Sequence, residues 1–261
     1  MICRIRNSGT ESLFKALLLN KYEVQYYKCN RCGYLYTEEP YWLEESYKSA
    51  INIYDTGILE RNLHFSKVVS ILIYFLFNKD GKFVDYAGGY GIFTRLMRDI
   101  GFDFYWYDPY SQNLLARGFE YKKSLNKEFE LITAFEVFEH LVNPLDEIEK
   151  MFDISENIIF STILLPNPTP KPENWWYYGF EHGQHISFFS DNTLKFIAKK
   201  WGLFFYSYKD VHLLTKRKIN NFLFKRLILF SKIGLFSYIK RNLTSKTWED
   251  HLLLKKSDLH K

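Results

Sequence analysis

Glu136, Glu139 and His140 stand in the spacing E-x-x-E-H, and His182 and His185 follow further along the chain. An imidazole titrates close to neutral pH, so His140 and His185 are candidates for taking a proton from a substrate. On one helical turn the E-x-x-E-H spacing gathers two carboxylates and an imidazole. Cys29 and Cys32 are two residues apart with Gly33 behind them, a knuckle able to occupy two corners of a tetrahedral zinc. Cys3 stands where the first ligand of a second knuckle belongs, but Arg6 takes the place of its partner. The cysteines are therefore either zinc ligands in a degenerate site or buried thiols in a small hairpin. The remaining cluster is Asp85, Ala87, Gly88, Gly89 and Gly91, with Asp108 further on.

That last cluster needs a strand, a tight turn, a helix and a second strand to position it. An apolar run ends at Asp85, the glycines let a backbone pass close to a ligand, and residues 92–100 have helical spacing before Gly101. A second strand over 104–107 delivers Asp108 at its C-terminal end, where open α/β sheets bind ligands. A pyrophosphate-binding GxGxxG starting at Gly89 needs glycine or alanine at position 94, which is Thr94, so NAD and FAD are disfavoured. A P-loop would end in Gly-Lys-Ser/Thr, and none is present.

The pattern left is D-x-(G/A)-x-G-x-G followed by an acid one strand later, and here the chain resembles the class I S-adenosylmethionine-dependent methyltransferases. The resemblance implies that Asp85, Ala87, Gly88, Gly89 and Gly91 hold the methionine part of the cofactor, that Asp108 accepts from its ribose hydroxyls, and that Phe135 belongs to the same site. Ala87 replaces the usual first glycine, which is tolerable at negative φ. Residues 136–144, EVFEHLVNP, are similar to the segment after the fourth strand of ubiquinone-pathway O-methyltransferases and deoxysugar C-methyltransferases. Its E-x-x-E-H also resembles the set used by magnesium-dependent 2′-O-methyltransferases of small RNA, which implies a magnesium ion on Glu136, Glu139 and His140 with His182 or His185 completing the set; in family members that need no metal, Glu139 and His140 orient the loop and the cofactor side. GQHISFFS, residues 183–190, resembles a C-methyltransferase motif that places His185 on the catalytic base. Gln184 stands where that motif has glutamate, which points to O- or N-methylation rather than carbon methylation.

The expected fold is α/β: a Rossmann-like sheet of seven strands with the last, residues 247–255, antiparallel. A zinc-ribbon-like segment (1–45) and a helical lid (46–80) precede the methyltransferase domain (81–261), which carries a basic helical insertion (217–246). Helices are expected over 44–54, 59–77, 112–117, 144–152 and 191–200, and short strands over 119–122, 131–135, 157–163 and 203–208. Hydrophobic residues make up 47% of the 261, enough for a full core, and a net charge of +5 is too modest to make nucleic acid the default partner. Three cysteines and no leader-like start point to a reducing cytoplasm, and no apolar run approaches the roughly 20 residues that span a bilayer. Residues 216–246 hold basic but no acidic side chains between apolar ones, a pattern that suits a packed helix, a phosphate-binding cap or contact with the inner membrane surface. The pairing of a ribbon-like segment with this domain resembles that of enzymes acting on nucleotide-linked sugars, and it implies a small polar acceptor such as a nucleotide-linked sugar or a phosphorylated precursor of a bacterial cell-surface polysaccharide or capsule; the alternatives are a peripheral-membrane O-methyltransferase of a lipid or quinone precursor and a non-catalytic cofactor-fold scaffold. The oligomeric state is not legible in the sequence.

Overall fold

A computed structural model of the chain describes residues 1–48, 53, 55–125 and 128–258. In chain order the elements are β1 (Thr10–Leu18), β2 (Tyr22–Cys29), β3 (Leu35–Thr37), α1 (Leu43–Ser46), α2 (Ile58–Leu76), β4 (Lys82–Tyr86), α3 (Ile92–Ile100), β5 (Asp103–Tyr107) and β6 (Phe129–Ala134). They continue with α4 (Pro144–Ile154), β7 (Asn157–Ser161), β8 (Ser187–Phe188), α5 (Asp191–Lys200), β9 (Phe204–Tyr208), β10 (Val211–Thr215), α6 (Asn221–Phe230), α7 (Leu235–Arg241) and α8 (Thr247–Asp258). The chain forms two compact units. One comprises Met1–Asn52, Phe135–Phe152 and Phe160–Arg217; the other comprises Ile53–Ala134, Asp153–Ile159 and Lys218–Lys261.

The first unit contains a four-stranded sheet in the order β1-β2-β3-β8. Leu19 and Asn20 both have φ of 54°, a left-handed pair that turns the three-residue connection from β1 to β2 and lets Lys21 N–H donate to the Leu18 carbonyl at 2.9 Å. Tyr26, Trp42, Tyr177, Tyr178 and Phe188 fill the core beneath this sheet. The segment is a hairpin with one knuckle, Cys29 to Gly33, and not a two-knuckle ribbon. Arg6, where the missing thiol would stand, lies over the Phe196 ring at 4.9 Å.

In the second unit β4 pairs in parallel with both β5 and β6. Its core includes Val68, Ile71, Leu72, Phe83, Phe104 and Leu131. The basic insertion forms α6 and α7, which pack on α2 through Phe224, Leu227, Ile228 and Ile239.

The full sheet runs β5-β4-β6-β7-β10-β9, six strands where seven were expected. The stretch 119–122 is reduced to one parallel bridge between Trp106 and Glu120, because Asn113 and Gly118 both bond the Glu120 carboxylate and hold that segment as a loop. For the same reason no helix forms over 112–117. The antiparallel partner of β9 is its hairpin neighbour β10, while 247–255, expected as the last strand, is the helix α8. Its signals are Thr247 donating its N–H to Ser245 Oγ, acids in the first turn and Lys255 and Lys256 in the last. Arg98, 4% exposed, then anchors it with two bonds to Asp250 of 2.7 and 2.8 Å, and a third from the guanidinium to Asp103 of 2.7 Å. Of the helix expected over 44–54, the described part is helical only to Ser46, and Tyr54 lies outside the described residues.

Candidate active site

The glycine turn lies between β4 and α3 in the second unit. Asp85 is buried near the end of β4, where Oδ2 accepts from Thr94 Oγ1 at 2.9 Å and Oδ1 from Thr133 Oγ1 at 3.3 Å. Burial pushes its carboxyl up to about 7, against the lowering effect of those hydroxyls. A side chain at Gly88 would strike Asp85 Oδ2 at 2.6 Å and Trp106 at 2.9 Å, so the buried acid itself demands glycine there. Gly89, with φ of 54°, faces open space. Ala87 has φ of 57°, and so does not keep the negative φ that would make its methyl comfortable. A methylated residue in this conformation carries roughly 1–2 kcal/mol of strain.

Asp108 follows β5. Its Oδ2 accepts the Gly89 N–H at 2.9 Å, and its Oδ1 accepts the Tyr110 and Ser111 N–H groups at 2.8 and 2.9 Å. The carboxylate thus locks the turn and its own loop together while each oxygen keeps acceptor capacity. Gly91 begins α3 with no side-chain cap, so the first-turn N–H groups of that helix can receive an anionic group. An open face at Gly89, uncapped donors and a half-buried acceptor suit a cofactor that carries an amino acid and a ribose.

The histidine cluster lies in the first unit. Just after β6, Phe135 is half-buried and Glu136 takes a left-handed φ of 54°; Ser161 Oγ accepts the Glu136 N–H at 2.8 Å and donates to Glu136 Oε1 at 2.6 Å. Glu136 is therefore turned toward Ser161. The Glu139 carbonyl accepts from Ile186 N–H at 2.9 Å, and Ser187 Oγ donates to the Leu141 carbonyl at 2.6 Å. These bonds staple residues 138–141 to residues 184–187, a pairing that distant sequence positions do not announce.

The rings of His140 and His185 then meet edge to face with centroids 5.0 Å apart, and those of His182 and His185 at 4.7 Å. His185 Nδ1 lies 2.6 Å from the Tyr177 carbonyl, which can only accept, so the proton is assigned to Nδ1 and the lone pair to Nε2. The same reasoning applies to His140, whose Nδ1 is 3.1 Å from the Gln184 carbonyl and 2.9 Å from Tyr47 Oη. Burial, and the neighbouring His182, bring the His140 pKa down to about 4, so its imidazole is neutral near pH 7. His182 is turned the other way: its Nδ1 accepts from Gln184 N–H.

Glu139 is fully buried, and among the described residues no donor reaches either of its oxygens with hydrogen-bond geometry. The Tyr177 and Thr162 hydroxyls are near enough to lower its pKa, but they bond each other at 3.2 Å. Burial first, and the Glu136 charge second, push the Glu139 carboxyl up to about 8. Tyr47, Ser161 and Thr162 join the site unannounced by any motif, whereas Tyr177 lies on the aromatic, proline-stiffened loop expected as the acceptor wall. Of those three, Ser161 alone had a usable signal, its place at a strand end.

Two groups of side chains bring metal-ligating atoms within 4.8 Å of one another: Cys3, Cys29 and Cys32, and Glu139, His140 and His185. The three thiols are buried and unbridged, with Cys3 and Cys32 sulfurs 3.8 Å apart. Bonding to Cys32 brings the Cys3 thiol down to about 6 while raising that of Cys32. They supply three of four zinc corners, and no fourth cysteine, histidine or acid joins them among the described residues. Glu136 stands apart from the second group.

A methyltransferase-domain family model matches residues 60–206, more than half of the chain. No curated protein matches the sequence. Among solved structures, TnmH is similar at 12% identity over 67% of this chain and 60% of its own, with a TM-score of 0.46. Human N-acetylserotonin methyltransferase in complex with SAM is similar at 14% identity over 68% of this chain and 66% of its own, with a TM-score of 0.41. An O-methyltransferase family 2 protein from Planctomyces limnophilus DSM 3776, in complex with apigenin, gives 12% identity, 65% and 63% coverage and a TM-score of 0.44. The chain thus spans about three fifths to two thirds of the length of these proteins.

Proposed function

The chain belongs to the methyltransferase-domain family, and from that premise we propose that it is an S-adenosylmethionine-dependent methyltransferase acting on an oxygen or nitrogen of a small polar acceptor. The cofactor, when bound, supplies an already activated methyl group, which leaves the protein to align the acceptor and remove a proton. The Asp108 carboxylate and the uncapped donors of α3 are the groups suited to hold the ribose and the amino-acid end, with Gly89 leaving room for a close approach. Asp85 stays beneath the turn and fixes its shape through Thr94 and Thr133.

The observation that carries the catalytic assignment is the hydrogen bond from His185 Nδ1 to the Tyr177 carbonyl, which fixes the tautomer with its lone pair on Nε2. In that tautomer His185 accepts the acceptor's proton, while His140 is held neutral beside it. The resemblance of residues 183–190 to sugar-modifying enzymes makes a nucleotide-linked sugar or a phosphorylated polysaccharide precursor the first class to try. His185→Ala is expected to cut turnover by roughly 10²–10⁴-fold with cofactor affinity unchanged. Calorimetry with the cofactor and a mass-shift assay on a panel of such acceptors test both halves. No heat with the cofactor would leave a non-catalytic scaffold, and unchanged turnover in the variant would remove His185 as the base.

A further inference from the structure

Among the described residues of the first unit, one buried acid has no hydrogen-bond donor on either oxygen, and an orphan of this kind asks for an explanation in terms of something that binds there. Its surroundings are specific. The Glu139 carboxylate, a His140 nitrogen and a His185 nitrogen lie within 4.8 Å of one another. Backbone carbonyls of Gln184 and Tyr177 hold the Nδ1 protons of the two histidines, which is the outer-shell bond that orients metal-ligating imidazoles and presents Nε2 to the ion. His182 lacks this arrangement, since its Nδ1 is itself an acceptor, and it stays outside the ligand group.

We propose that Glu139, His140 and His185 form a binding site for a first-row divalent cation of the zinc class. Two imidazoles and one carboxylate are a donor set suited to zinc, iron or manganese more than to calcium or magnesium, which favour all-oxygen shells. Three protein ligands also leave a coordination position open for a substrate atom or water. Bonds of about 2.0–2.1 Å to a tetrahedral ion put its ligand atoms roughly 3.3 Å apart, so modest side-chain rotations close the site. The ion would displace the Glu139 proton to solvent and give a buried carboxylate oxygen the partner it lacks. For its consequence the proposal rests on the methyl-transfer reading: the open position would take an acceptor oxygen, and the base role assigned to His185 would then describe the ion-free protein.

The full chain is titrated with Co(II) alone, and the visible spectrum is read for two signatures. Cobalt bound to Cys3, Cys29 and Cys32 shows a thiolate charge-transfer band, whereas cobalt on nitrogen and oxygen shows only d–d bands. The expected result is a thiolate-free component that Glu139→Gln and His185→Ala each weaken by more than the roughly 10–100-fold that losing an outer-shell partner costs. His182→Ala is expected to retain it, and circular dichroism on every variant controls for folding. Absence of a thiolate-free component in the wild-type chain, or its persistence in folded Glu139→Gln and His185→Ala, overturns the site. Calorimetry with S-adenosylmethionine on the same samples separates the two readings. Cofactor bound without cobalt removes the metal site and spares the methyltransferase; cobalt bound without cofactor does the reverse.

Discussion

Among the described residues, the second unit buries two carboxylates and gives each its partners, whereas the first unit buries Glu139 and gives its oxygens none. Asp250 is met by Arg98 and Arg95, which hold its carboxyl below the usual carboxylate range against the pull of burial. Asp85 is met by two threonine hydroxyls. Partnered acids of this kind build a scaffold: one ties a helix down, the other shapes a turn. An acid of equal burial with nothing to bond is costly to keep unless a ligand uses it. The difference teaches where to look for chemistry, because both regions also place a non-glycine residue in a left-handed conformation within two residues of a strand end, Ala87 in one and Glu136 in the other. Strain alone does not separate them; the state of the buried acids does.

The largest effect is expected from Asp250→Ala, which leaves Arg98 buried without its main partner and should cost about 3–5 kcal/mol in denaturant unfolding. A loss below about 1 kcal/mol would show that α8 does not depend on this pair. Next comes the pH dependence of Asp85. Its folded-state pKa is raised from 3.8 to about 7, so the folded state holds the proton more tightly. The resulting stability is complete below about pH 4 and is lost as pH rises through 7, by up to roughly 4 kcal/mol. Asp85→Asn should flatten that window, and an unchanged profile would mean that Asp85 is not the group responsible. Gly88→Ala drives a methyl into Asp85 and Trp106 and should cost about 1–3 kcal/mol, while Gly89→Ala meets no neighbour but takes a left-handed φ, which should cost about 1–2 kcal/mol and, in calorimetry, lower cofactor affinity as well. Smallest are Ala87→Gly, which should gain about 1 kcal/mol by relieving its left-handed φ, and Glu139→Gln, which should shift stability by no more than about 1 kcal/mol because no hydrogen bond is lost. A loss comparable to that of Asp250→Ala would erase the contrast between the units.

The glycine turn was legible because its requirements are local: Gly88 and Gly89 answer to a buried acid and an open face, and residue type alone announces such demands. His185 could be singled out for its chemistry, but its tautomer depends on the Tyr177 carbonyl and its place on bonds from Glu139 and Leu141 to the following loop. Those are long-range facts. Residues 247–255 alternate poorly for a strand and carry acids early and lysines late, so capping and dipole signals for a helix were present and were outweighed by the expectation of a final strand. The reduced strand at Glu120 failed for another reason, since the competing loop bonds from Asn113 and Gly118 follow from no periodicity. Arg6, read only as a missing thiol, is held over Phe196, a residue far along the chain.

Arg98 and Asp250 are separated by 152 positions. At translation speeds of about 5–20 residues per second the arginine leaves the ribosome roughly 8–30 s before the aspartate that neutralises it is made. Until then the guanidinium on α3 has Asp103 as its acidic partner, so the cohesion of α3 with the rest of its unit is completed only when α8 docks.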